Sequence, residues 1–160
     1  MARSSPLHKL FVEAARLVLA TYTDQQTIAT SASQSAALLA RALLAQSKIG
    51  EAEAAATNAL ALAERTSDRS THLLANLAAA EVNARTGKEP EATKALQSIL
   101  SESVREGYKE FEFEARLDLG RLELRFSKAS GRQRLSKLQE DADRKDFRLI
   151  ARKAHAELGR

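Results

Sequence analysis

Three times along this chain, at intervals of forty residues, an apolar helix pattern, a short break and a second helix pattern recur. In "SAALLARALLAQSKIGEAEAAATNALALAER" the apolar positions Leu39 and Leu43 precede a break at Lys48-Ile49-Gly50. Ala52, Ala56, Leu60 and Ala63 then continue at helical spacing. "LLANLAAAEVNARTGKEPEATKALQSIL" breaks at Gly87, and Pro90 falls in the first turn of the following helix, where its missing N–H costs little. Ala92, Leu96, Ile99 and Leu100 then stand where Ala52, Ala56, Ala59 and Leu60 stood. The third unit opens on "EFEFEARLDLGRLEL", breaks at "SKASG" and resumes through Leu135, Leu138 and Ala142. An amphipathic hairpin cannot bury its apolar face alone, so such units must stack on one another, and about three are needed for stability. The expected fold is therefore all-α, an α-solenoid of about three hairpins with a helix covering each end, about eight helices in all.

One stretch argues superficially for a strand. Glu110, Phe111, Glu112, Phe113 and Glu114 alternate with period two. Followed further, Phe111, Ala115, Leu119, Leu122 and Phe126 form one helical stripe, and Phe113, Leu117 and Leu124 form another on the opposite side. A helix apolar on two sides belongs between its hairpin mate and the next unit. Small residues mark the register: Ala40, Ala80 and Gly120 are spaced by forty. Each lets a second helix approach closely, with Ala52 and Ala92 twelve residues later on the other side. In the third unit that place holds Arg132, with Gly131 one residue earlier, which implies a shortened last turn or a less regular hairpin.

The 160 residues are read as a single domain. Residues 6–32 supply an N-terminal capping helix (6–21) and a linker, with 23–35 as loop or frayed helix start. Residues 33–68, 69–107 and 108–146 are the three repeats, and 147–158 a C-terminal capping helix with Phe147, Ile150, Ala151, Ala154 and Leu158 inward. Six Gly and two Pro are few for a sheet protein, and the absence of Cys removes disulfides and thiolate chemistry. The early apolar run "LHKLFVEAARLVLA" carries Lys9, Glu13 and Arg16, too short and charged to span a bilayer, and no signal-peptide pattern follows it. A cytoplasmic chain with no membrane partner is expected.

The small-residue plan resembles the tetratricopeptide-repeat family. Leu39-Ala40 and Leu119-Gly120 resemble that family's Leu-Gly pair in the first helix of a unit, and Ala52, Ala59 and Ala92 its second-helix alanines. The family's usual Trp, Tyr and closing Pro are absent, and the period exceeds its typical ~34 residues. "EFEARLDLGRLEL" and "DFRLIARKA" are similar to the helical-repeat regions at the C-terminal ends of large bacterial signalling proteins, in which a kinase or DNA-binding domain precedes the repeats. The resemblance covers residues 33–158. It implies a right-handed, TPR-like superhelix whose first helices line a concave groove for a peptide or partner domain. The residues one and five places after each small position would face that groove: Arg41 and Ala45, Glu81 and Arg85, Arg121 and Arg125. Arginine pairs with carboxylates bidentately, so an acidic peptide is the partner such a lining favours. The same residues also read as solvated helix faces with local pairs such as Glu81 with Arg85 at i, i+4.

Residues 128–160 hold ten Lys/Arg against five Asp/Glu, whereas the preceding part is almost balanced. Arg148, Arg152 and Lys153 form a basic C-terminal patch that would attract phosphates. Phe147 is its one aromatic, and Asp141, Asp143 and Asp146 interrupt it, so nucleic acid is disfavoured. His8, His72 and His155 lie far apart and form no metal spacing, and no phosphate loop or nucleophile elbow occurs. Glu110 and Glu114 share a face, but acids at a helix start serve the macrodipole. The expectation is a non-enzymatic interaction module without cofactor or metal, monomeric or homodimeric. Self-assembly through an end helix is the structural alternative.

Overall fold

Ala and Leu at three- and four-residue intervals, with few Gly or Pro between, favour long helices. The computed structural model describes residues 6–159, with side chains from Thr21 onward and at Leu17, and contains seven helices and no strand in that range. They are α1 (Pro6–Ala45), α2 (Ile49–Ala63), α3 (Arg69–Arg85), α4 (Glu89–Glu106), α5 (Lys109–Phe126), α6 (Lys128–Arg144) and α7 (Arg148–Leu158). Each helix packs on the next, and α1, α3, α5 and α7 also pack in succession on one another.

The core divides into three parts, each shared by one hairpin and the helix that follows it. Ala37, Ala40, Ala56 and Ala59 meet Ala75, Ala78 and Val82 in the first. Leu73, Leu77, Leu96 and Ile99 meet Phe111, Ala115, Leu119 and Leu122 in the second. Phe113 and Leu117 meet Leu135, Leu138, Ile150 and Ala154 in the third. The alternating stretch is thus helical, and its two stripes enter two different cores. Phe126, expected at the end of the first stripe, is 74 % exposed, at the last residue of α5. Leu39 is likewise exposed, since the face of α1 toward α2 and α3 runs through Ala36, Ala37, Ala40, Leu43 and Leu44.

The expected linker at 23–35 is helical, part of a 40-residue α1, which is why the helices number seven rather than about eight. The stretch has no Gly or Pro, and its polar side chains find partners without leaving the helix. Thr27 and Ser35 donate back to the carbonyls of Thr23 and Ser31 at 2.9 and 2.8 Å. Ser33, fully buried, donates to the Ala59 carbonyl at 2.8 Å. The reading of residues 6–21 as a cover for the first repeat falls on side chains outside those described. At the other end α7 buries Ile150, Ala151 and Ala154, and Phe147 meets Phe113 edge-on at 4.9 Å, as the periodicity predicts.

The first two hairpin turns pivot on left-handed residues forty apart, Ser47 at φ 60° and Gly87 at φ 79°. The first pivot is thus Ser47 and not Gly50, which lies inside α2. Forty further on, Ser127 alone separates α5 from α6, extended at φ −144°. The third turn is shortened, as the displaced Gly131 suggests, and most of "SKASG" belongs to α6. A Cβ at Gly131 would lie 2.6 Å from the Leu124 backbone nitrogen, and one at Gly120 would lie 2.7 Å from the Leu135 side chain. These two glycines let α5 and α6 meet. Elsewhere the caps are of ordinary kinds: Asp68 accepts from the Thr71 amide at 2.8 Å to start α3, and Gly107 at φ 81° closes α4.

Candidate functional site

Because α1, α3 and α5 lie side by side in register, residues at equal distance from Ala40, Ala80 and Gly120 come out on one side of the molecule. Arg41, Ala45, Glu81, Arg85, Arg121 and Arg125 all line one concavity of about 790 Å³. Leu44, Ala84, Leu122 and Leu124 contribute apolar surface to it, and Lys128 and Arg132 reach it from the first turns of α6.

The arginines divide into two groups. Arg41 donates to both oxygens of Glu81, at 2.9 and 2.8 Å, and to Glu114 at 3.1 Å, so one guanidinium ties α1 to α3 and α5. Lys153 of α7 donates to the other Glu114 oxygen at 3.1 Å. Arg121 donates to Asp118 at 3.0 Å and to Glu157 of α7 at 3.0 Å. Arg125 donates to the Ala84 carbonyl at 3.0 Å and pairs with Glu89 at 3.4 Å. Arg85, Lys128 and Arg132, by contrast, are exposed and make no hydrogen bond or ion pair among the described residues. The i, i+4 pair of Glu81 with Arg85 is therefore not formed, because Glu81 turns inward to Arg41. The groove has an inner end whose arginines are paired with internal acids and a cationic rim without such partners.

Burial governs the protonation of the inner end. Desolvation pushes the Glu81 carboxyl up to about 7, aided by Asp118 and opposed by Arg41. Asp118 is raised as well, by burial first, with Arg121 pulling the other way. The carboxylates of Glu81, Glu114 and Asp118 offer oxygens within 4.8 Å of one another, the spacing of a candidate cation site. Arg41 already occupies both oxygens of Glu81 and one of Glu114, so a metal ion fits this triad poorly.

Of the basic C-terminal patch, Arg148 and Arg152 are exposed one turn apart on α7, with Arg148 pairing to Asp146 at 2.8 Å, while Lys153 points into the groove's charge network. His72 donates from Nε2 to the Thr66 carbonyl at 2.9 Å and so belongs to the α2–α3 turn. His155 is exposed, and the side chain of His8 lies outside those described. Glu110 is exposed while Glu114 is turned into the network, so the two acids part company.

Asp118, Glu157, Lys128 and Arg132 also line the groove, though the sequence did not assign them to it, and Glu114 stands behind it in the charge network. The signal for Asp118 was there to be read: an acid between Leu117 and Leu119, in a helix apolar on two sides, is bound to be buried. For Lys128 and Arg132 it is a pair of cations at i, i+4 opening a helix with no acid in its first turn, against the macrodipole. Among the described residues no helix is long and apolar enough to cross a membrane. No family model, curated protein or solved structure matches this chain.

Proposed function

We propose that this chain is a non-enzymatic protein-interaction module whose groove accepts an acidic peptide segment. Its hairpins are read as a right-handed, TPR-like α-solenoid, of the kind the resemblance to bacterial cytoplasmic signalling proteins implies. The observation that carries the functional reading is the set of three unpaired cations, Arg85, Lys128 and Arg132, along a groove of about 790 Å³. Cations without internal acids are available to an external one, and the apolar floor beside them suits a peptide better than a free ion. Arg41 and Arg121, by contrast, are already engaged by internal acids in the free protein.

The test follows that division. Calorimetry with a hexaglutamate peptide should detect binding, and replacing Arg85, Lys128 and Arg132 together by Ser should weaken it at least tenfold. Unchanged affinity in that triple variant removes the reading. A second reading, self-association through α1, is favoured by the exposed Leu17, Tyr22, Ile28, Leu38 and Leu39 on that helix. Light scattering coupled to size exclusion separates the two, because a strict monomer leaves only the first. Nucleic-acid binding through the basic C-terminal helix is the remaining alternative, with Arg148 and Arg152 exposed and Lys153 held by Glu114.

A further inference from the structure

The inner end of the groove crowds like charges together. Glu81 of α3 and Glu114 and Asp118 of α5 bring carboxylate oxygens within 4.8 Å of one another, with Arg41 of α1, Arg121 of α5 and Lys153 of α7 as donors to them, and Arg121 is shared with Glu157 of α7. Charged groups of the neighbouring helices are engaged elsewhere or stand apart. Glu53 of α2 pairs with Lys88, Glu89 of α4 pairs with Arg125, and the α6 cations Lys128 and Arg132 stand on the rim. The crowding is felt at Asp118, which is 6 % exposed. One of its oxygens accepts from Arg121, but Oδ2 is buried with no hydrogen-bond partner. A buried carboxylate oxygen with no donor is costly, and a proton is the one positive charge that needs no extra room.

We propose that the groove takes up its anionic ligand together with one proton, held on the Glu81–Asp118 pair. The inference rests on the groove reading above and adds its regulation. Arg121 is the exchangeable element: its side chain is 40 % exposed and divides its donors between Asp118 and Glu157. An anionic group drawn in by the rim takes over donors of Arg121. Asp118 then loses its one guanidinium partner, and a solvent proton bonds to its carboxylate in compensation. No bond of the ligand changes. By linkage the effect is reciprocal, so the proton tightens the ligand as much as the ligand tightens the proton. Since Glu81 is pushed up to about 7, the free protein already carries the proton in mild acid and loses it above neutrality. Affinity for an anionic peptide is therefore level below pH 6 and falls above pH 7, approaching tenfold per pH unit for full coupling to one proton.

The experiment is calorimetry with hexaglutamate at pH 6 and pH 8, repeated in two buffers of different ionisation enthalpy. Uptake approaching one proton per peptide at pH 8, and little at pH 6, is the expected result. Asp118→Asn should bind the peptide without proton uptake and with equal affinity at both pH values, its fold checked by circular dichroism. If that variant does not fold, Glu81→Gln replaces it, with the same expectation of lost coupling. Binding at pH 8 with no proton taken up overturns the coupling and leaves the groove reading in place. Absence of binding at either pH overturns both.

Discussion

Glu81 illustrates how burial sets the chemistry of a single residue. Two hydrogen bonds from Arg41 would ordinarily hold a carboxyl below its usual range, yet its pKa is pushed up to about 7 from 4.5. Loss of hydration outweighs one guanidinium when Asp118 adds a second negative charge alongside. The consequence for stability has a definite sign. The folded state binds the proton more tightly than the unfolded chain, so this residue's contribution falls as pH rises from about 4.5 to about 7. The difference in unfolding free energy, Glu81→Gln minus wild type, should therefore grow across that window, by at most about 1.4 kcal/mol per pH unit. Denaturant melts at several pH values measure it. A difference that stays constant would mean that Glu81 titrates normally.

At the scale of elements, the pairing of α5 with α6 depends on two glycines of different consequence. Gly120 faces Cγ and Cδ2 of Leu135, a side chain that can shift more readily than the backbone of Leu124, which Gly131 faces. Both lie inside helices, where Ala is intrinsically better by about 1 kcal/mol. Gly131→Ala should nevertheless destabilise the protein, by about 1–3 kcal/mol, and by more than Gly120→Ala does. Thermal melts of the two variants decide this, and the reverse order would mean that the hairpin closes differently. The longer test side chain, Gly120→Leu, should also force the helices apart. The register argument from Ala40, Ala80 and Gly120 located one side of these contacts. The displaced Gly131 pointed to a shortened third turn, but that a single residue makes it was settled by packing, because apolar periodicity does not fix where one helix ends and the next begins.

At the scale of the molecule, each core takes its last helix from beyond its own hairpin, so stability should pass from neighbour to neighbour. Leu138, fully buried in the third core, has no partner in the first. Leu138→Ala, a truncation of the kind that costs about 2–5 kcal/mol, should expose α6 and α7 to amide hydrogen exchange most and α2 least. Uniform loss of protection along the chain would instead mean that the three cores form one cooperative block.

Apolar periodicity determined which residues are helical, which face two neighbours at once, and which positions share a side from one unit to the next. The groove residues at one and five places after each small position follow from that register, because repeated geometry maps equal sequence positions onto one face. Partnership among those residues was decided only in three dimensions. Arg41 and Arg85 look alike in sequence, but one is spent on Glu81 and Glu114 and the other is unpaired. The difference arises from which helices converge on each guanidinium. The buried acids that set the protonation of the groove come from α3 and α5, brought together by packing that no single helix records. Likewise the unbroken course of α1 was settled by Ala59 and Thr66, which give Ser33 and Thr30 their partners from another helix and the turn beyond it. Local pattern specifies the elements and their faces, while charge pairing depends on distances that exist only once the elements are stacked.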